Sequence, residues 1–142
     1  LLLCRCDFSN VKKIGMTETE LKKRTKQSGL RIIKLVDALP NTHPGRTFAS
    51  LLIRTGTSVG ANYRAACRRR SKSDLISKLD VVEKEAGESA FWLELIIDGQ
   101  LLKEKLVPPL LTEAEELTKI MTLSRITAPQ RERKRAWSQK NQ

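Results

Sequence analysis

The sequence predicts an all-α protein, an up-down-up-down antiparallel four-helix bundle. Apolar residues recur at spacings of three and four in four separate stretches. No stretch sustains period-two alternation, and the links between the stretches are short. A chain of 142 residues is enough for one domain with a core of its own. No apolar run approaches the ~18 residues that a membrane span needs.

The first helix opens on a capping box, Thr17 with Glu20 three residues on. Leu21, Thr25, Ser28, Ile32, Leu35 and Leu39 then form a heptad-like seam, and Pro40 stops it. Asn41–Gly45, with two prolines close by, reads as a loop. The second helix is expected from about Arg46 to Arg70, with Phe48, Leu52, Gly56, Val59, Tyr63 and Ala66 as its stripe. Gly56 and Gly60 lie mid-helix, where each costs roughly 1 kcal/mol relative to Ala. Tight packing inside the core or close contact with a second subunit would each offset that cost. Ser71–Ser73 reads as a break. The third helix runs from about Asp74 to Ile97 on Leu75, Leu79, Val82, Ala86, Ala90 and Leu93, with Gly99 as its stop. Pro108–Pro109 breaks the chain again. The fourth helix runs from about Leu110 to Ile126, with Leu110, Ala114, Leu117, Ile120 and Met121 turned inward. The organisation expected is a flexible N-terminal extension over 1–16, a bundle over 17–127 and a basic, disordered tail over 128–142. The chain begins with Leu1, and Met16 could be the natural initiator.

Charge is unevenly spread. The net charge of +11 divides into +5 over residues 1–45, +7 over 46–72, −6 over 73–124 and +5 over 125–142. A basic middle and tail beside an acidic third quarter fit a polyanion partner, or mutual pairing of basic and acidic elements. On a helix stepped at roughly 100° per residue, Arg54, Arg64 and Arg68 fall within an arc of about 80° opposite the apolar stripe. Arg69, Arg70 and Lys72 carry the charge past the helix end, and Arg131, Arg133, Lys134 and Arg135 charge the tail. Arginine's planar fork suits phosphate and carboxylate alike. The third helix supplies carboxylates: Asp80, Glu83, Glu94 and Asp98 share an arc of about 60°. Phe91, Trp92 and Leu95 lie off its main stripe, a surplus apolar face that suggests an oligomer.

Several chemistries are excluded. Cys4, Cys6 and Cys67 form neither a disulfide framework nor a zinc site, and a reducing, cytoplasmic compartment is the simplest reading. His43 is the single histidine, and it has no patterned partner. Glu85 and Glu88 lack the Glu-x-x-His motif of a di-iron bundle. Cys67 has no recognisable orienting group, and no glycine loop cradles a phosphate. Six aromatic residues, Phe8, Phe48, Tyr63, Phe91, Trp92 and Trp137, are too few for a sheet that stacks several bases. No enzyme activity, cofactor or metal is expected.

The run Arg54-Thr-Gly-Thr-Ser-Val-Gly-Ala-Asn-Tyr-Arg-Ala-Ala-Cys67 resembles a bacterial family signature. So do Ser71-Lys-Ser with Lys78-Leu79, and Glu85-Ala-Gly-Glu-Ser-Ala-Phe-Trp-Leu-Glu-Leu95. Arg24-Thr25, Arg31-Ile-Ile-Lys-Leu35 and Ala38-Leu-Pro40 fit its first helix. The family comprises four-helix-bundle proteins related to those encoded in intervening sequences of 23S ribosomal RNA genes, and the resemblance covers about residues 20–125. It implies an up-down bundle, a ring-like homopentamer and a nucleic-acid setting. It also implies similarity to accessory proteins of diversity-generating retroelements, which engage a reverse transcriptase. Ser28-Gly29, Leu51, Ala65 and Gly87 depart from the family pattern, and Ala65 makes the second helix more basic by replacing a common acid.

Two functions follow as expectations. One is a non-enzymatic protein that binds RNA or DNA phosphates through Arg54, Arg64, Arg68, Arg69, Arg70, Lys72 and the tail. The other is a structural assembly or adaptor protein, such as a reverse-transcriptase accessory subunit, whose arginines pair with acidic faces of neighbours. In both, Gly56, Gly60, Phe91, Trp92 and Leu95 are the expected oligomer interface.

Overall fold

The computed structural model describes residues 15–103 and 105–140, with the side chains of 129–139 outside the description. Four helices follow one another: α1 Glu18–Asp37, α2 His43–Cys67, α3 Lys72–Asp98 and α4 Val107–Lys140. Each packs on the next, and α1 also touches α4, which closes the bundle. No strand occurs among the described residues, and no helix among them is long and apolar enough to cross a membrane.

The helix starts are set by caps. The Glu20 amide donates to Thr17 Oγ1 at 3.1 Å, and the Thr17 amide donates back to Glu20 Oε2 at 2.6 Å. This is the capping box expected at α1. Helix α2 begins at His43 rather than near Arg46, because Thr42 caps it through the Gly45 amide at 3.2 Å. Pro44 then sits in the first turn, where its missing N–H costs nothing. Gly45 is required there, since a Cβ would lie 2.0 Å from the Pro40 carbonyl oxygen. Ser71 caps α3 through the Asp74 amide at 3.1 Å, so Lys72 and Ser73 are helical rather than part of a break. Helix α4 likewise takes Pro108 and Pro109 into its first turn. Its path continues past 127 to Lys140, through residues such as Arg, Glu, Lys and Ala that favour helix. At the end of α3 the left-handed residue is Gln100, φ 52°, not Gly99, and the Leu101 amide donates to the Ile96 carbonyl.

The core has two apolar halves. One gathers Leu21, Val59, Tyr63, Leu79, Val82, Leu117 and Met121. The other gathers Ile32, Leu35, Leu52, Leu93, Ile96, Val107 and Leu110. A waist of small residues joins them, including buried Ser28, Thr55 and Ser89. Ser89 and Thr55 bridge α3 to α2 by a hydroxyl–hydroxyl bond of 3.0 Å, and Ser89 also donates to the Glu85 carbonyl. Gly56 belongs to this waist: a Cβ would lie 2.1 Å from Ile32 Cδ1. The close neighbour of Gly56 is thus α1 of its own chain, not a second subunit.

Candidate nucleic-acid interface

Helix α2 packs α1 on one flank and α3 on the other, which leaves its third side to solvent. Buried Leu52, Gly56, Val59, Tyr63 and Ala66 turn the opposite residues outward. Arg54, Arg64 and Arg68 are exposed on that outer side. Arg54 reaches Glu88 of α3 at 3.7 Å with 60% of its side chain exposed, a loose pair of small energetic weight. The ion pairs among the described residues do not include Arg64 or Arg68.

Past the helix end the charge is less free. Arg69 and Lys72 are half-buried and engaged within the chain. Arg70 is exposed, and its amide donates to Asp74 Oδ2 at 3.0 Å. That bond and the Lys78 ammonium at 2.6 Å hold the Asp74 carboxyl below its usual pKa, Lys78 contributing most. The side chains of Arg131, Arg133, Lys134 and Arg135 lie outside the described residues.

Sequence reasoning missed two cations here. Lys26 of α1 is exposed and lines the same groove as Arg64. Lys22, one turn earlier, pairs with Glu18 at 2.7 Å. The Glu18 hydrogen bond raises the Lys22 pKa, and the like charge of Arg64 opposes it. Lys22 and Lys26 share a flank of α1, but only the register of α1 on α2 brings that flank beside Arg64.

Two arginines behave differently. Arg24 Nε donates to Glu113 Oε1 at 2.7 Å and its Nη2 to Glu113 Oε2 at 2.8 Å, with Glu116 as a second partner. These bonds tie α1 to α4 and hold the guanidinium even further above neutrality than usual. Arg125 Nε donates to Glu83 Oε2 at 2.6 Å and lies 3.7 Å from Asp80. It holds the Glu83 carboxyl below the ordinary carboxylate range. Of the acidic stripe on α3, Glu83 is therefore committed inside the chain, while Asp80, Glu94 and Asp98 remain exposed.

The expected interface residues also divide. Gly60 faces Thr25 of α1 at 3.6 Å, ordinary contact distance for a Cβ. Trp92 is half-buried and packs on Phe48 of α2, with ring centroids 6.2 Å apart. It serves the α2–α3 seam and is not part of a free outer face. Phe91 stays 50% exposed and leans on Trp92 at 5.2 Å, and Leu95 is half-buried beside it. Cys67 is buried, and burial pushes its thiol up to about 12, the reverse of an activated nucleophile.

The profile of the 23S rRNA-intervening sequence protein family matches residues 17–123. The chain belongs to that family. Its helices superpose with a TM-score of 0.68 on the crystal structure of a protein of unknown function from the S23 ribosomal protein family of Bacteroides thetaiotaomicron. The two are 30% identical, over 75% of this chain and 96% of that one. No curated protein matches. The family match covers the capping box, the small-residue waist, α2 with its outward arginines and the first half of α4. It ends before the basic segment from 128 onward.

Proposed function

We propose that this 23S rRNA-intervening sequence family protein is a non-enzymatic, cytoplasmic nucleic-acid-associated protein of bacterial type. It meets RNA or DNA phosphates through the outer face of α2, in a ring of identical subunits that resembles a pentamer. One observation carries the reading. Arg64 and Arg68 are exposed and outside every described ion pair, while Glu83, one of the carboxylates that a neighbour could offer them, is held by Arg125. Unpaired guanidinium groups on one surface provide sequence-independent affinity for phosphate. Lys26 and Arg70 widen the patch, and repetition around a ring would multiply a weak contact by avidity. The family's name, which ties it to intervening sequences of 23S rRNA, supports a nucleic-acid setting.

The adaptor reading, with a reverse transcriptase as one partner class, keeps one supporting observation: Phe91 at 50% exposure with free Glu94 and Asp98 on the same helix. Titration of a short RNA against the protein at rising salt tests the phosphate reading. Affinity that falls linearly on a log–log plot is expected, and affinity indifferent to salt would reject it. Light scattering should give about five times the chain mass of 16.1 kDa, and a monomer at micromolar concentration would reject the ring.

A further inference from the structure

Three glycines lie at the contact of α1 with α2, and the fold needs only one of them. Gly56 is required by Ile32, as described above. At Gly60 and Gly29 an added Cβ would meet its nearest atoms at 3.6 and 3.9 Å, so alanine fits at both. A helical glycine costs roughly as much at either site as at Gly56, and packing within the chain does not repay it there.

Both glycines line one open groove of about 310 Å³ between α1 and α2. Leu30 and Ile33 line it too, 48% and 45% exposed. Lys26 and Arg64 bring two cations to it, and no acidic residue lines it. An apolar hollow served by cations alone complements a ligand that is anionic and flat. A nucleotide with its base out of the stack has both properties, whereas a duplex offers only its phosphates.

We infer that this groove receives an unstacked base of a single strand, with the flanking phosphates on Lys26 and Arg64. The inference rests on the phosphate-binding reading above and names its substrate class as single-stranded over duplex nucleic acid. The aliphatic wall gives a modest base contact, and the glycines leave the depth for it. Specificity for one base is not expected, because Lys26 and Arg64 are given to the phosphates and the Thr25 and Thr57 hydroxyls donate to carbonyls of their own helices.

The test compares a 12-nucleotide RNA of adenosine and cytidine with the same strand annealed to its complement, at one salt concentration. The single strand should bind about fivefold tighter, the bottom of the range for a base on an aromatic ring. Gly60→Leu, which fills the hollow, should bring the two affinities together while leaving duplex binding unchanged. Ile33→Asp does the same from an exposed position, should Gly60→Leu unfold the bundle. Equal binding of strand and duplex by the wild type, or a preference that survives both substitutions, overturns the groove assignment and leaves phosphate binding standing. Binding of neither RNA overturns both. A fall in particle mass on Gly60→Leu or Ile33→Asp also overturns it, because the groove would then hold a second copy of the chain.

Discussion

The seams of the bundle and the outer face of α2 use the same residue types to opposite ends. At the α1–α4 and α3–α4 seams, Arg24 and Arg125 are about a quarter to a third exposed and hold carboxylates by two-pronged bonds. On the outer face, Arg64 and Arg68 are exposed and outside every described ion pair. The glycines divide in the same way: Gly56 lets Ile32 into the waist, while Gly60 borders open groove. A charge or a missing side chain is therefore informative only together with what faces it. Seam residues should govern stability, and face residues should govern binding.

A large stability effect is expected at Arg24. Arg24→Ala leaves Glu113, with 15% side-chain exposure, short of its partner and should cost about 2 kcal/mol by chemical denaturation. Arg64→Ala should change stability by less than about 0.5 kcal/mol. Equal losses at the two sites would erase the distinction between seam and face.

Next come the glycines. Gly56→Ala should destabilise by about 1–3 kcal/mol, because Ile32 must shift within a filled core. Gly60→Ala should raise the melting temperature, since it gains helix propensity without a clash. A rise on both substitutions would contradict the packing assigned to the waist.

Acid sharpens the comparison through the α3–α4 seam. The Glu83 carboxyl has a pKa below its usual value because it accepts from Arg125. Its contribution to stability is present above the ordinary carboxylate pKa and is lost as pH falls through the lowered folded value. Glu83→Gln should flatten the acid limb of the stability–pH curve, and an unaltered limb would remove Glu83 from the seam's energetics. A gain is expected at Gln100, where Gln100→Gly should stabilise by up to about 1 kcal/mol by relieving a left-handed side chain.

The four helices were legible in the sequence because their apolar spacing matches the helical period, and the Thr17–Glu20 box was legible as local chemistry. Helices α2 and α4 start earlier than the sequence predicts for one reason: Pro44 and Pro108–Pro109 read as breakers, though the first turn accepts proline. The helical step also turned Arg64 and Arg68 outward. It could not bring Lys26 beside Arg64, because that needs the register set by Gly60 on Thr25. Nor could it separate Arg24 and Arg125 from the other arginines, since their carboxylates lie 89 and 42 residues away in sequence. Trp92 stands off the stripe of its own helix in the sequence because its partner in the α2–α3 seam, Phe48, comes from another helix.

The central claim is that Arg64 and Arg68 meet phosphate rather than protein. The double reversal Arg64→Glu, Arg68→Glu, measured at once for RNA affinity across salt and for particle mass, tests it most directly. Phosphate contact predicts weaker binding to every RNA, a salt slope shallower by about two, and an unchanged mass and melting temperature. Wild-type binding from a dissociated assembly would contradict it and assign both arginines to the acidic face of a neighbouring subunit.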